Sequence, residues 1–149
     1  MNIWVDADAC PKVIKEILFR VAERTGRSVV FVTNQVLKLP AVDNVRLLQV
    51  EMGPDIADDA IVLQAEAGDL VITADIPLAA RVVDKGVLAI DPRGKVYDRE
   101  NIKQILSMRD FMDSMRGSGE ATGGPAAFGQ KERQEFANAL DRVLAKMPR

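Results

Sequence analysis

A chain of 149 residues with 20 basic, 22 acidic and no histidine side chains fits one domain and needs no metal or disulfide staple to fold. Its composition, 48% hydrophobic and 28% charged, is that of a soluble globular protein rather than a disordered or membrane one. The net charge of −2 argues against a strongly basic nucleic-acid binder, and a single cysteine excludes an internal disulfide and the common paired-cysteine zinc spacings.

No apolar run approaches the roughly 20 residues of a membrane span, and Met1 leads almost directly into a strand with no basic leader, so a cytoplasmic location is expected. Charge is unevenly spread: residues 1–92 hold 9 basic against 14 acidic groups, and residues 93–149 hold 11 against 8. An acidic body with a mildly basic C-terminal arm is compatible with a polyanionic partner held through cations.

Residues 2–6 read as a buried strand, and Pro11 opens a helix with Val13, Ile14, Ile17, Leu18 and Val21 on one face, ended by Gly26. Val29–Val32 and Val45–Val50 are the second and third strands. Gly53-Pro54 breaks the chain, and Asp55 is placed to N-cap a helix reaching about Ala67, closed by Gly68. Leu70–Ala74 is the fourth strand, Ile76–Lys85 a short helix stopped by Gly86, and Val87–Ile90 the fifth strand. This alternation predicts an α/β fold with a mainly parallel five-stranded sheet covered on both faces. Beyond Pro92, helices are expected over Asn101–Met115 and around Phe136, Leu140, Val143, Leu144 and Met147. The whole chain, 1–149, then reads as a single domain with a core over about 1–92 and a two-helix C-terminal extension over about 93–149.

The acidic residues carry the chemistry. Asp6 and Asp8 end the first strand, Asp75 follows the fourth, and Asp58 lies in the first turns of the helix between them. Ligands of open α/β sheets bind beyond the carboxyl ends of strands, where strand order reverses, so these carboxylates can converge although distant in sequence. Like charges so gathered share a proton or hold a cation. With oxygen donors and no imidazole, a hard cation, Mg²⁺ or Mn²⁺, is the expected cofactor.

Each acid has a plainer reading. Asp8 can instead cap the helix near Pro11, and Asp75 the helix after Pro77. An ionised Asp6 behind a fully apolar strand is costly unless paired or bound. Asp58 and Asp59 point about 100° apart on a helix, and two apolar stripes compete there. Ile56, Ala60, Leu63 and Ala67 leave Asp59 at the core edge; Ala57, Ile61 and Ala65 leave Asp58 there.

Thr73 reads as a strand residue, and Asn34 as either a turn residue or a substrate contact. Arg109 and Arg116 share a helical face and can approach a phosphate backbone, or both pair with Asp113. Cys10 has no histidine to serve as its base, and the stretch Gly117–Pro125 lacks the ending of a phosphate-binding loop.

Asp6-Ala7-Asp8-Ala9-Cys10-Pro11, the run Gly68–Ala79 and Gly123-Gly124-Pro125 together resemble the YaiI/YqxD family of bacterial proteins over nearly the whole chain. That family looks like a divergent branch of the PIN-like nuclease superfamily. The resemblance implies a three-layer α/β/α sandwich with a five-stranded parallel sheet and an acidic Mg²⁺ or Mn²⁺ site. Asp6 matches the superfamily's first aspartate, Asp58 with Ile61 its helix pattern, and Thr73 with Asp75 its Thr-x-Asp strand ending. Asp8 so close to Asp6, and Leu78 in place of a further acid, depart from the pattern.

The function expected on these grounds is a metal-dependent phosphodiesterase or ribonuclease acting on RNA. Asp6, Asp58 and Asp75 would be catalytic and hold the metal, Asp8 assisting; Asn34, Thr73, Arg109 and Arg116 would bind substrate. Two alternatives stand beside it. One is a non-catalytic RNA- or protein-binding module with a structural metal. The other is a haloacid-dehalogenase-like phosphatase, suggested by Asp6-x-Asp8 and Thr33 but opposed by the immediate helix at Pro11.

Overall fold

β-branched runs that alternate with amphipathic helices can bury both sheet faces only as a sandwich, and the chain forms one. The computed structural model describes residues 2–53, 55–116 and 128–147, the side chains of 113–116 excepted. Six strands, β1 (Asn2–Asp6), β2 (Ser28–Thr33), β3 (Val45–Gln49), β4 (Leu70–Ile72), β5 (Leu88–Ile90) and β6 (Val96–Tyr97), lie in the order 3-2-1-4-5-6. The first five are parallel; β6 runs antiparallel to β5. The helices are α1 (Lys12–Thr25), α2 (Ile56–Gln64), α3 (Ile76–Asp84), α4 (Ile102–Arg116) and α5 (Gln130–Lys146).

The expected five strands are all present, and the sixth is an addition. With two residues it is too short to show a sequence period, and it is made by the turn that follows Asp91. There Gly94, at φ +95°, lets the turn lie against α5: a Cβ on it would stand 2.7 Å from the Glu135 carbonyl oxygen.

Alternation along β1 divides the core. Ile3 and Val5 pack on one face with Ile14 and Leu18 of α1 and with Phe136 and Leu140 of α5. Trp4 packs on the other with Ile61 of α2, Leu78 and Val82 of α3, and Ile102 of α4. The two C-terminal helices are thus built into the two outer layers, since Phe136 and Leu140 are fully buried. No helix among the described residues is long and apolar enough to cross a membrane.

Helix ends follow local chemistry. Gly26, at φ 74°, closes α1 by donating to the Ala22 carbonyl oxygen. α2 ends at Gln64 rather than near Ala67, because Ala65 is extended and the Glu66 N–H donates to Asp69 Oδ2 at 3.0 Å. Lys85 Nζ donates to the Val62 and Ala65 carbonyl oxygens at that end. Asp69 is buried and also receives the Asn2 N–H at 2.9 Å and the Trp4 indole N–H at 3.1 Å, tying the starts of β1 and β4 together. The Gly117–Pro125 stretch and the side chains of Asp113 and Arg116 lie outside the described residues.

Candidate functional site

From β1 the chain builds outward through β2 and β3, then returns to lay β4 on the other side of β1. Strand order therefore reverses between β1 and β4, and the crevice beyond their carboxyl ends is where this architecture places ligands. Asp6 ends β1, 7% exposed, on the Trp4 face of the sheet. Its Oδ2 accepts a hydrogen bond from Thr73 Oγ1 at 3.0 Å, and Thr73 Oγ1 accepts from the Asp75 N–H at 3.0 Å. Asp75 caps α3, its Oδ1 accepting from the Leu78 N–H at 3.0 Å, and also lines an open cleft of about 600 Å³. Asp75 therefore both caps α3 and faces the cleft. Leu78 spends its side chain in the core and its amide on this cap.

Asp58 lines the same cleft from α2. Burial, reinforced by the charges of Asp75, Asp6 and Asp55 and opposed by Arg81, pushes its carboxyl up to about 6. Burial also raises the pKa of Asp6, with the Asp75 and Asp8 charges adding to it and the Thr73 hydrogen bond opposing. Ile61 and Ala65 are buried while Leu63 is 82% exposed, so the Ala57-Ile61-Ala65 stripe is the core stripe. Asp58 thereby stands at the core edge, and exposed Asp59 pairs at 2.9 Å with Arg81, which also lines the cleft.

Asp8 goes elsewhere. After a 3₁₀ turn over Ala7–Ala9 it leaves α1 uncapped by any side chain, and its carboxylate accepts from Thr33 Oγ1 and from the Asn34 N–H at 3.2 Å. The two aspartates of Asp6-Ala7-Asp8 are thus divided between the neighbouring strands, Asp6 bonded to the residue following β4 and Asp8 to β2. Asp8 remains near enough to act on Asp6 electrostatically. Among the described residues, the Asn34 side-chain oxygen is buried without a hydrogen-bond partner.

Arg109 of α4 lines the cleft and pairs with Asp110 at 3.5 Å. Arg81 and Asp55 complete the lining, and neither was singled out for the site from sequence. Pro77 and Arg81, both in the lining, are spaced i, i+4 on α3, which was the available signal for Arg81. Asp55 occupies the expected N-cap position, but at φ 63° and with no side-chain cap, so its charge adds to the acid cluster instead. Among the described residues no three acidic groups stand close enough to surround one ion.

The family model described as "Uncharacterized BCR, YaiI/YqxD family" matches residues 4–146. The chain belongs to the YaiI/YqxD family. It is 64% identical to the UPF0178 protein of Vibrio cholerae serotype O1 over 146 residues, 98% of each chain. It is 63% identical to the UPF0178 protein of Hahella chejuensis, covering 98% of this chain and 97% of the relative. With the UPF0178 protein of Aliivibrio fischeri the identity is 59%, over 98% of both. No solved structure gives a significant match.

The raised Asp58 carboxyl makes the stability of this YaiI/YqxD protein depend on pH. A carboxyl that holds its proton more tightly folded than unfolded contributes stability that is full below the unfolded value and is lost as pH rises through the folded one. For Asp58 that window runs from 3.8 to about 6. Because the group is partly exposed and screened, we expect Asp58→Asn to stabilise the metal-free protein at pH 8 by about 1 kcal/mol, the gain vanishing near pH 4. Thermal melts at the two pH values check this. A variant melting below the wild type at pH 8 would place Asp58 in a stabilising ion pair instead.

Proposed function

We propose that this chain is a metal-dependent phosphodiesterase of the PIN-like type, acting on RNA. The observation that carries the reading is that Asp58 of α2 and Asp75 at the start of α3 line one switch-point cleft, which Arg81 and Arg109 also line, with Asp6 at the end of β1 near enough to act on both acids through its charge. Mg²⁺ is commonly held by one or two carboxylates, with water and substrate phosphate oxygens completing its shell. The donor set fits a hard cation in that form: Asp58 and Asp75 from the cleft wall, with Asp6 behind them and Asp8 assisting through its charge. A divalent ion bound there would polarise the phosphodiester and make water a better nucleophile.

The remaining steps fall to the protein's own groups. Arg81 and Arg109 offer guanidinium donors to phosphate oxygens; Asn34, whose N–H donates to Asp8, is not among the residues that line this cleft. A cation held at Asp58 would displace the proton that its raised carboxyl keeps in the metal-free protein, so metal affinity should rise with pH through about 6. α1 starts at Lys12, three residues after the 3₁₀ turn Ala7–Ala9 that holds Asp8, and this short connection argues against the inserted turn of a haloacid-dehalogenase-like phosphatase.

Incubation with single-stranded, duplex and structured RNAs tests the proposal. Slow Mn²⁺-dependent cleavage of single strands is expected, and Mn²⁺ at 100 times its Kd should stabilise the fold by about 2.7 kcal/mol. If Mn²⁺ leaves the melting temperature unchanged, the metal reading fails. Retained Mn²⁺ and RNA binding without cleavage would make the chain a binding module with a structural ion.

A further inference from the structure

A second cleft, of about 680 Å³, opens between α3 and α4 and shares Arg81 with the acidic one. Its floor is apolar, made by Ala80 and Val83 of α3 and Ile102 and Leu106 of α4. Its lining is mainly cationic at the rim: Arg81, which also pairs with Asp59, stands there with Arg99 and Lys103 beside one lining acid, Asp84, in a chain whose net charge is −2. Arg99 is fixed at the end of α3, its Nε and Nη2 donating to the Val83 and Asp84 carbonyl oxygens at 3.4 Å. A guanidinium so anchored is a plane on which a base can stack.

We propose that this cleft seats one nucleotide of a single-stranded RNA, its base on the apolar floor and its phosphate at Arg81, so that the adjoining phosphodiester lies at Asp58 and Asp75. The proposal rests on the reading of the acidic cleft as a phosphodiester site. An apolar floor with a cationic rim matches a flat apolar base joined to an anionic backbone. Arg81 lines both clefts, so they adjoin at its side chain. The base must leave its stack to reach the floor, so the subsite selects single strands over duplex.

Fluorescence anisotropy on the full chain tests this, with Ca²⁺ replacing Mn²⁺ so that the strand stays uncut. The probes are a uridine hexaribonucleotide, an abasic hexamer of equal charge, and an RNA duplex. The uridine hexamer is expected to bind about tenfold more tightly than the abasic one, because base contacts of this kind are worth that much. Lys103→Glu should weaken it about fivefold and flatten its salt dependence, and Leu106→Gln should erase the preference for bases. Lys131→Glu, on α5 in the opposite layer, should leave binding unchanged.

Equal affinity for the uridine and abasic hexamers, with Lys103→Glu neutral, overturns the subsite even if wild-type protein cleaves RNA in Mn²⁺. A base preference lost in the cleft variants, without Mn²⁺-dependent cleavage, upholds the subsite while the phosphodiesterase reading falls. If no RNA binds and Leu106→Gln turns a dimer into a monomer, the cleft is a contact between copies of this chain and the proposal is overturned.

Discussion

Asp75→Asn is expected to reduce Mn²⁺-dependent RNA cleavage by at least about 100-fold, while its stability stays within about 0.5 kcal/mol of the wild type. The two halves of that expectation come from the two oxygens of one side chain. Oδ1 accepts from the Leu78 N–H, and an asparagine oxygen caps a helix as well as an aspartate does. What the substitution removes is the negative charge that Asp75 contributes to the cleft beside Asp58. Asp59→Asn is the matched control: it removes an adjacent, exposed charge that pairs with Arg81, and it should leave metal affinity nearly intact. Calorimetric titration with Mn²⁺ and a gel-based cleavage assay read both. Cleavage that persists undiminished in Asp75→Asn would come from a contaminant, and equal losses of Mn²⁺ affinity in Asp58→Asn and Asp59→Asn would remove the distinction drawn between them.

Asp69→Ala should destabilise the fold by about 3 kcal/mol, measured by urea denaturation. The carboxylate is buried and takes hydrogen bonds from the Asn2 N–H, the Trp4 indole and the Glu66 N–H. Alanine leaves these donors without a partner at the start of β1, where water reaches them poorly, and each bond to a charged acceptor is worth more than an ordinary one. Asp69→Asn should recover only part of the loss, since its NH₂ presents a donor where the carboxylate accepted. Stability unchanged in Asp69→Ala would mean that water replaces the carboxylate at no cost.

The contrast between Asp69 and Asp75 shows how far the sequence could be read. Five strands were visible because each is an apolar run bounded by turn residues, and Asp6 and Asp75 stood out because they follow such runs. β6 was not visible, because two residues carry no period. The end of α2 was misjudged by three residues because Asp69, beyond the helix, competes for the Glu66 amide. The choice between Asp58 and Asp59 was undecidable from periodicity, since both stripes are apolar and only packing against the sheet chooses one. Nor could sequence show that Asp8 turns to Thr33, 25 residues away, while Asp6 turns to Thr73, 67 away, because those partners become neighbours only when the strands align.

The chain of hydrogen bonds from the Asp75 amide through the Thr73 hydroxyl to the Asp6 carboxylate has a fixed direction. The amide occupies a lone pair of Thr73, and the hydroxyl has one hydrogen to give, which goes to Asp6. A mirrored arrangement holds Asp8, with the Gln35 amide donating to Thr33 Oγ1 at 3.0 Å and Thr33 donating to Asp8. Each threonine therefore acts as a rivet that removes rotamer freedom from an acidic side chain during folding. Under the proposed function, an arriving cation would meet carboxylates already held in place, and the entropy of orienting them would not count against its affinity. Replacing Thr73 with valine would leave the charge and shape of the crevice nearly intact and return that ordering cost to the binding step.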